Sequence, residues 1–229
     1  MKRKFWRSLI PTVLFNFRNL PFNQAVKLPI WVYKMDCISQ KGCIVIDSEH
    51  IFRGMIQLGF PRAATYPNTG IIWRNNGKVI FRGRCIIGND CYVIVGEKGT
   101  LTFGNNFIVN CGMKLVSECS ITFGNDTLLG WSVTCMDTNF HPLFDVEKKS
   151  FKRAFSPIVI GNNNWFGSQC YIMHGVITPD NCTFGACSVV TRSGHFESYC
   201  VHGGNPLRVL SRNVMRDHNH YAITDYTYE

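Results

Sequence analysis

Charge is scarce in this chain of 229 residues. Only 17% of it is Asp, Glu, Lys or Arg, against 45% hydrophobic side chains. That balance excludes an intrinsically disordered polymer and describes a globular one, long enough for one large domain with a sizeable core. No stretch reaches the roughly 18 apolar residues that a helix needs to cross a bilayer. The 11 cysteines are odd in number, contain no C-x-x-C and follow no metal-ligand spacing. There is no P-loop, no dinucleotide fingerprint and no Ser/His/Asp signature. Acidic residues are few, 15 against 24 Lys and Arg, for a formal net charge of +9. A basic chain suits an anionic partner, but no Lys/Arg run carries a nucleic-acid motif, so nucleic acid is not expected.

What is present is a six-residue rhythm between Pro157 and Arg192. Ile160, Phe166, Ile172, Phe184 and Val190 keep it, and Thr178 alone breaks the apolar series. Gly161, Gly167 and Gly185 each follow an anchor, and Asn164, Cys170, Val176, Cys182, Ser188 and Gly194 fall four residues after successive anchors. Six fits neither a helix nor a single strand. It fits a chain that turns a corner every six residues and stacks one flat face per hexad. The anchor points inward, and the glycine takes a left-handed or crowded corner. Gly-Asn-Asn and Pro-Asp-Asn also suit hairpins of an all-β sandwich, but hairpin spacings vary, whereas this phase holds over six hexads. Cys91, Cys119, Cys170 and Cys182 occupy the small inward position and read as buried fillers of a reduced, cytosolic protein.

The rhythm extends upstream through Phe81, Ile87 and Val93, then Phe103, Val109, Leu115 and Ile121, and after a slip Phe123, Leu129 and Cys135. Ile38 and Ile44, six apart, suggest imperfect first coils, and 62–77 reads as a polar loop with turns at Pro67–Gly70 and Asn75–Gly77. Three segments result: 1–35, a coil domain over 36–205 interrupted by a loop at 136–157, and 206–229. The first is basic and aromatic. It mimics a signal peptide, but its apolar run is short, broken by Pro11, and lacks a small-residue cleavage site. Two readings stand for it: a cap on the open end of the coils, and an interfacial segment with Trp6, Phe15 and Trp31 among lipid headgroups. Residues 207–216 read as a short C-terminal helix, and 218–229 as a loose tail.

The run IGNNNWFGSQCYIMHGVITPDNCTFGACSVVTRS, followed by GGNPLRVL, resembles the closing coils of hexapeptide-repeat acyltransferases. That family includes maltose and galactoside acetyltransferases and sugar O-acetyltransferases of surface-polysaccharide clusters. The resemblance implies an all-β fold, a left-handed parallel β-helix, with acetyl-CoA as co-substrate and no metal. It also implies a homotrimer with each site between two prisms, a sugar or glycan acceptor, and a cytoplasmic location, which the N-terminal segment would extend to the inner face of the membrane. His141, in Phe140-His141-Pro142, matches the family's general base; imidazole titrates near working pH and suits removal of a hydroxyl proton. Counting back from Ile121-Thr122-Phe123-Gly124 puts Asn110 at the family's positioning asparagine; the alternative is a turn residue bonding its own backbone. Asp137 holds the imidazole in one tautomer or is a turn carboxylate. Trp165, Gly167, Ser168, Gly185, Ala186 and Ser188 match the family's coenzyme lining. Thr191-Arg192 stands at its Thr-Lys, a cation for nucleotide phosphates, with Arg208 a second.

The chain departs from the family at Pro179, Thr178 and Asn164, so one corner is expected to be distorted. Three alternatives remain open: a sugar-nucleotide N-acyltransferase, a non-catalytic β-helix binding subunit, and a zinc hydratase on the same scaffold using His141, His174 and His202.

Overall fold

A computed structural model describes residues 2–217, and of residues 2–7 the backbone alone. The chain winds through three faces in turn. Helix α1 (Lys2–Asn19) and a single turn, α2 (Phe22–Ala25), precede the first coil of β1 (Ile30–Val32), β2 (Met35–Gln40) and β3 (Cys43–Ile46). The next coils are β4 (Ile56–Phe60), β5 (Ile71–Asn75) and β6 (Lys78–Phe81), then β7 (Cys85–Asn89), β8 (Cys91–Val95) and β9 (Thr100–Phe103). They are followed by β10 (Phe107–Cys111), β11 (Lys114–Ser117) and β12 (Ser120–Phe123). In the next coil a short hairpin, β15 (Phe144–Asp145) and β16 (Ser150–Phe151), separates β13 (Leu128–Leu129) and β14 (Thr134–Met136) from β17 (Ile158–Ile160). The closing strands are β18 (Trp165–Phe166), β19 (Tyr171–Ile172), β20 (Ile177–Thr178), β21 (Cys182–Phe184), β22 (Val189–Val190), β23 (Cys200–Gly203) and β24 (Arg208–Arg212). The first face runs β1-β4-β7-β10-β13-β18-β21-β23-β24, the second β2-β5-β8-β11-β14-β19-β22, and the third β3-β6-β9-β12-β17-β20. Every pairing within these faces is parallel except β23 with β24.

Hexad anchors fill the interior as the spacing predicts. Phe81, Ile87, Val93, Phe103, Val109, Leu115, Ile121, Leu129, Cys135, Phe166, Ile172, Phe184 and Val190 are all fully buried. Equivalent aromatics stack between coils: Phe81 on Phe103 at 5.3 Å, Phe103 on Phe123 at 6.0 Å, Phe166 on Phe184 at 4.5 Å. The glycines do only half of what their sequence position suggests. None of Gly161, Gly167 and Gly185 has a positive φ; the left-handed residue comes two positions later, at Asn163, Gln169 and Cys187. Asp90, Asn106, Asp126 and Asn181 repeat that offset, and short polar side chains tolerate this conformation best. Crowding explains Gly161 and Gly167, where a Cβ would lie 2.5 Å from Pro179 C and 2.6 Å from Ala186 N, but not Gly185, which has nothing within 3.7 Å. Pro179 distorts nothing: β17 and β20 keep register, Val159 on Ile177 and Ile160 on Thr178. Asn164 is fully buried and donates from Nδ2 to Asn162 O at 3.2 Å and Pro179 O at 2.9 Å.

Four expectations need correction. Ile38 is 61% exposed, because the β2–β5 register slips between Cys37 and Ser39 and turns it outward. The polar stretch ends sooner than its turn signals suggest, for β5 is a paired strand whose Trp73 is fully buried. Cys119 is only half-buried, unlike Cys91, Cys170 and Cys182. Residues 207–216 form no helix: β24 returns antiparallel along β23, because the backbone edge of the last rung offers more hydrogen bonds than a weakly apolar helix face offers burial. The expected tail at 218–229 lies outside the described residues.

At the opposite end α1 runs through Pro11 and lies on β1. Its side chains take the place of a missing strand. Thr12 Oγ1 accepts from Val32 N at 3.1 Å, Asn16 Oδ1 accepts from Ile30 N at 3.1 Å, and Asn16 Nδ2 donates to Ile30 O at 2.6 Å. Phe15 meets Trp73 edge-on at 6.1 Å.

Candidate active site

The residues singled out in the sequence fall on two different edges of the prism. The edge between the first and second faces carries most of them. Strand register aligns Ile87, Val109, Leu129, Phe166, Phe184 and His202. The residues that follow them, Gly88, Asn110, Gly130, Gly167, Gly185 and Gly203, therefore stack in one column, with Arg208 paired to Gly203 at its foot. Hydrogen bonds tie the column rung to rung: Gly130 N to Phe166 O at 2.7 Å, Gly167 N to Phe184 O at 2.7 Å, Gly185 N to His202 O at 2.8 Å. Trp165 lies beside the column, 40% exposed. Ser168 Oγ accepts from Trp131 N at 3.2 Å. Among the described residues neither the Ser168 N–H nor the Ala186 N–H donates to a protein acceptor, so two backbone donors stand open one rung apart.

Ser188 does not line this edge. It is fully buried, donating from Oγ to Gly185 O at 2.6 Å and accepting from Gly204 N at 3.1 Å, so it pins the corner from within.

His141 belongs to the other edge, between the second and third faces. Residues 137–157 leave β14 there and return to β17, closed by Asn139 N to Ala154 O at 2.9 Å and Ser156 N to Asp137 O at 3.0 Å. Phe140 takes φ 62°, and the His141 side chain is exposed beside it. Thr191 and Arg192 lie on this same edge. Thr191 shares its hydroxyl with Ser193 at 3.0 Å, and the exposed Arg192 side chain packs against Gly175, whose N–H reaches Ser156 O at 3.2 Å at the root of the hairpin. One chain therefore does not bring His141 and Asn110 together.

Asp137 does not orient the imidazole. Its carboxylate is fully buried and turned the other way, accepting from Glu118 N at 2.8 Å, Cys119 N at 2.9 Å and Ser117 Oγ at 3.0 Å. Adjacency in sequence suggested a His–Asp pair, but three donors on the preceding coil compete for those oxygens and win them.

Sequence reasoning missed the residues that dress the first edge above Trp165. The loop after β4 is held by Asn89, fully buried, which accepts from Arg62 N at 3.1 Å and donates to Pro67 O at 2.7 Å. The loop lays Tyr66 against Ser132, hydroxyl to hydroxyl at 2.7 Å, with its ring 6.1 Å from that of Trp131. Only the exposed tryptophan in the middle of the hexads carried a signal. Beside this edge a cleft of about 600 Å³ opens on the second face, among Tyr92, Lys114, Ser132, Thr134, Gln169 and Tyr171.

Burial pushes the Cys91 and Cys182 thiols up to about 12 and Cys170 to about 11, so none is poised as a nucleophile. Among the described residues no three His, Cys, Asp or Glu side chains cluster as metal ligands. His202 lies in the core, stacked on Phe184 at 5.3 Å.

No family model matches the chain. It is similar to the galactoside O-acetyltransferase of Escherichia coli K12, 36% identical over 126 residues, 55% of this chain and 60% of that one. It is also similar to the polysialic acid O-acetyltransferase of Escherichia coli O1:K1 / APEC, 29% identical over 124 residues, 53% of this chain and 40% of that one. The match thus spans less than two thirds of these relatives' own length. The crystal structure of a polySia-specific acetyltransferase superposes with a TM-score of 0.51 at 21% identity, covering 85% of this chain and 94% of that one, which establishes the likeness of fold. In sequence the chain is similar to O-acetyltransferases of galactosides and of polysialic acid, and in fold to a polySia-specific acetyltransferase.

Proposed function

We propose that the protein transfers an acetyl group from acetyl-CoA to a hydroxyl of a sugar or polysaccharide, and that it does so as a trimer. The observation that carries this reading is the split site. One edge holds Asn110 and open backbone donors; another holds His141 and a cation, Arg192. Each edge is half of a site, and packing prisms side by side joins the halves. The hairpin that starts at His141 supports such packing, because Phe140, Leu143, Phe144, Val146 and Phe151 are all more than half exposed. A closed three-fold arrangement would repeat this heterologous contact three times. Relatedness to O-acetyltransferases of galactosides and of polysialic acid supports the substrate class.

Acetyl-CoA supplies the activated acyl group as a thioester. The open N–H groups of Ser168 and Ala186 suit the amide carbonyls of its pantetheine arm, and Trp165 offers a flat apolar wall beside them. Arg192 and Arg208, both exposed, are the cations for its phosphates. His141 takes the proton of the acceptor hydroxyl as the oxygen attacks the thioester carbonyl. It then returns that proton to the departing thiolate. Asn110 positions the hydroxyl or the carbonyl, since its amide both donates and accepts.

The experiment follows release of the coenzyme thiol over a panel of sugar acceptors. His141→Ala should lower turnover by roughly a hundredfold or more while the assembly persists. Co-expressing His141→Ala with Asn110→Ala chains should restore activity, since about one site in four would then draw both wild-type halves from different chains. Mixed assemblies no more active than either variant alone would exclude a site shared between prisms.

A further inference from the structure

The first 34 residues contain seven Lys and Arg and no Asp or Glu, so a large part of the chain's net +9 sits at one end. Helix α1 has two working sides. Its inner side, Ser8, Thr12, Phe15 and Asn16, is buried against the first coil. Its outer side presents Ile10, Leu14 and Phe17 at i, i+4 and i+7, exposed by 71%, 47% and 47%. Phe22, 75% exposed, continues this stripe and touches Phe17 edge-on at 6.0 Å. Arg18 and Lys27 flank it, both exposed. Next to the stripe a cavity of about 440 Å³ opens between α1 and β2, bordered by Ile10, Leu14, Val32, Met35 and, at its polar side, Arg18 and Gln40. No helix among the described residues is long and apolar enough to cross a membrane.

We infer that this end of the prism docks on a bilayer surface containing anionic lipid, with the Ile10–Leu14–Phe17–Phe22 stripe entering the headgroup boundary and the surrounding cations holding lipid phosphates. The charge pattern selects this occupant over a second copy of the chain. Two copies meeting on this face would bring together two N-terminal segments that carry Lys and Arg and no Asp or Glu, whereas an anionic bilayer supplies the opposite sign and an apolar layer at the same depth. The geometry suits insertion along the plane. The inner side of α1 is bonded to β1, so the stripe is held outward and needs no rearrangement to reach lipid. The adjoining cavity would accept the hydrocarbon edge of a lipid displaced by the helix. This inference is independent of the acetyl-transfer reading, and its test does not use activity.

The test is co-sedimentation of the full chain with sucrose-loaded vesicles, of phosphatidylcholine alone or with about 30 mol% phosphatidylglycerol, at low and high salt, because salt screens charges at an exposed surface. Binding to the anionic vesicles is expected, at least tenfold weaker to neutral ones, and weakened by salt. Ile10→Gln/Leu14→Gln/Phe17→Gln should lower anionic binding tenfold or more. Arg18→Gln/Lys27→Gln, which leaves the stripe intact, should lower it less and flatten the salt dependence. Circular dichroism and the unfolding midpoint report whether each variant folds; should the triple variant fail, single Phe17→Gln and Phe22→Gln carry the same test. Wild-type chain left in the supernatant with anionic vesicles overturns the inference. So does pelleting unchanged by the substitutions, or a stripe-dependent self-association in lipid-free buffer that accounts for the exposed face.

Discussion

Replacing Asp137 separates a structural carboxylate from a catalytic one. The side chain is fully buried and accepts three hydrogen bonds, from Ser117 Oγ, Glu118 N and Cys119 N. Asp137→Ala leaves two backbone donors, Glu118 N and Cys119 N, without partners at a corner the chain must turn, while Ser117 Oγ still reaches Thr100 O at 3.3 Å. Each unpaired buried donor costs about 1–3 kcal/mol, and water entering the gap recovers part of it, so for the two a loss of about 2–4 kcal/mol is expected. Asp137→Asn keeps one acceptor oxygen but aims an NH₂ at a donor, for a loss of about 2 kcal/mol. Urea unfolding followed by circular dichroism measures both, with an unchanged m value showing that the unfolded state is not the cause. The structure further expects the folded Asp137→Asn protein to retain the wild-type pH profile of the proposed acetyl transfer, because the carboxylate is bonded to Ser117, Glu118 and Cys119 and not to His141. A loss below about 1 kcal/mol for Asp137→Ala would refute the hydrogen-bond argument. An altered pH profile at full stability would restore the His–Asp pair suggested by sequence adjacency.

Two further outcomes rest on the core. Phe103 stacks between Phe81 and Phe123 and touches Phe107 at 4.7 Å. Phe103→Ala should cost about 3–5 kcal/mol and lower the melting temperature by about 10 °C in a calorimetric scan. His202 is 1% exposed, accepts from Glu197 N at 3.3 Å through Nε2, and has its pKa lowered below 6.5 by burial. Because the folded ring refuses a proton that the unfolded one takes, its contribution is complete above pH 6.5 and is lost as pH falls below it. Urea midpoints measured from about pH 7.5 to about pH 5 should therefore fall more steeply for wild type than for His202→Phe, which has no such group to titrate.

The coils were legible because a hexad anchor is a burial signal with a fixed period. Phe103 and Phe184 announce an inward face whatever surrounds them. Features that depend on competition between backbone partners were not legible. Residues 208–212 carry a faint apolar helical pattern, but the unpaired edge of β23 decides their conformation. Ile38 keeps the six-residue phase and still points outward, because a register slip is not encoded in spacing. The spacing points to glycine for a left-handed or crowded corner; Gly161 and Gly167 fill the crowded place, while Asn163 and Asn181 adopt the left-handed conformation. For the site, the sequence named residues but not their distribution. Only three-dimensional winding reveals that Asn110 and His141 lie on separate edges, and only packing reveals that Asp137 and Ser188 are spoken for.

The way α1 covers β1 has a consequence for how long such a structure can grow. A stack of parallel coils has no intrinsic last layer, and each terminal rung is a template for another. On the first face the top strand, β1, is met by two side chains, Thr12 and Asn16, which imitate a strand's donors and acceptors without offering a new edge of their own. The bottom rung is stopped by a strand of reversed direction. Stripping either stopper would bare another strand edge on a body already built of stacked parallel rungs, so on this face these few polar atoms work against end-to-end growth.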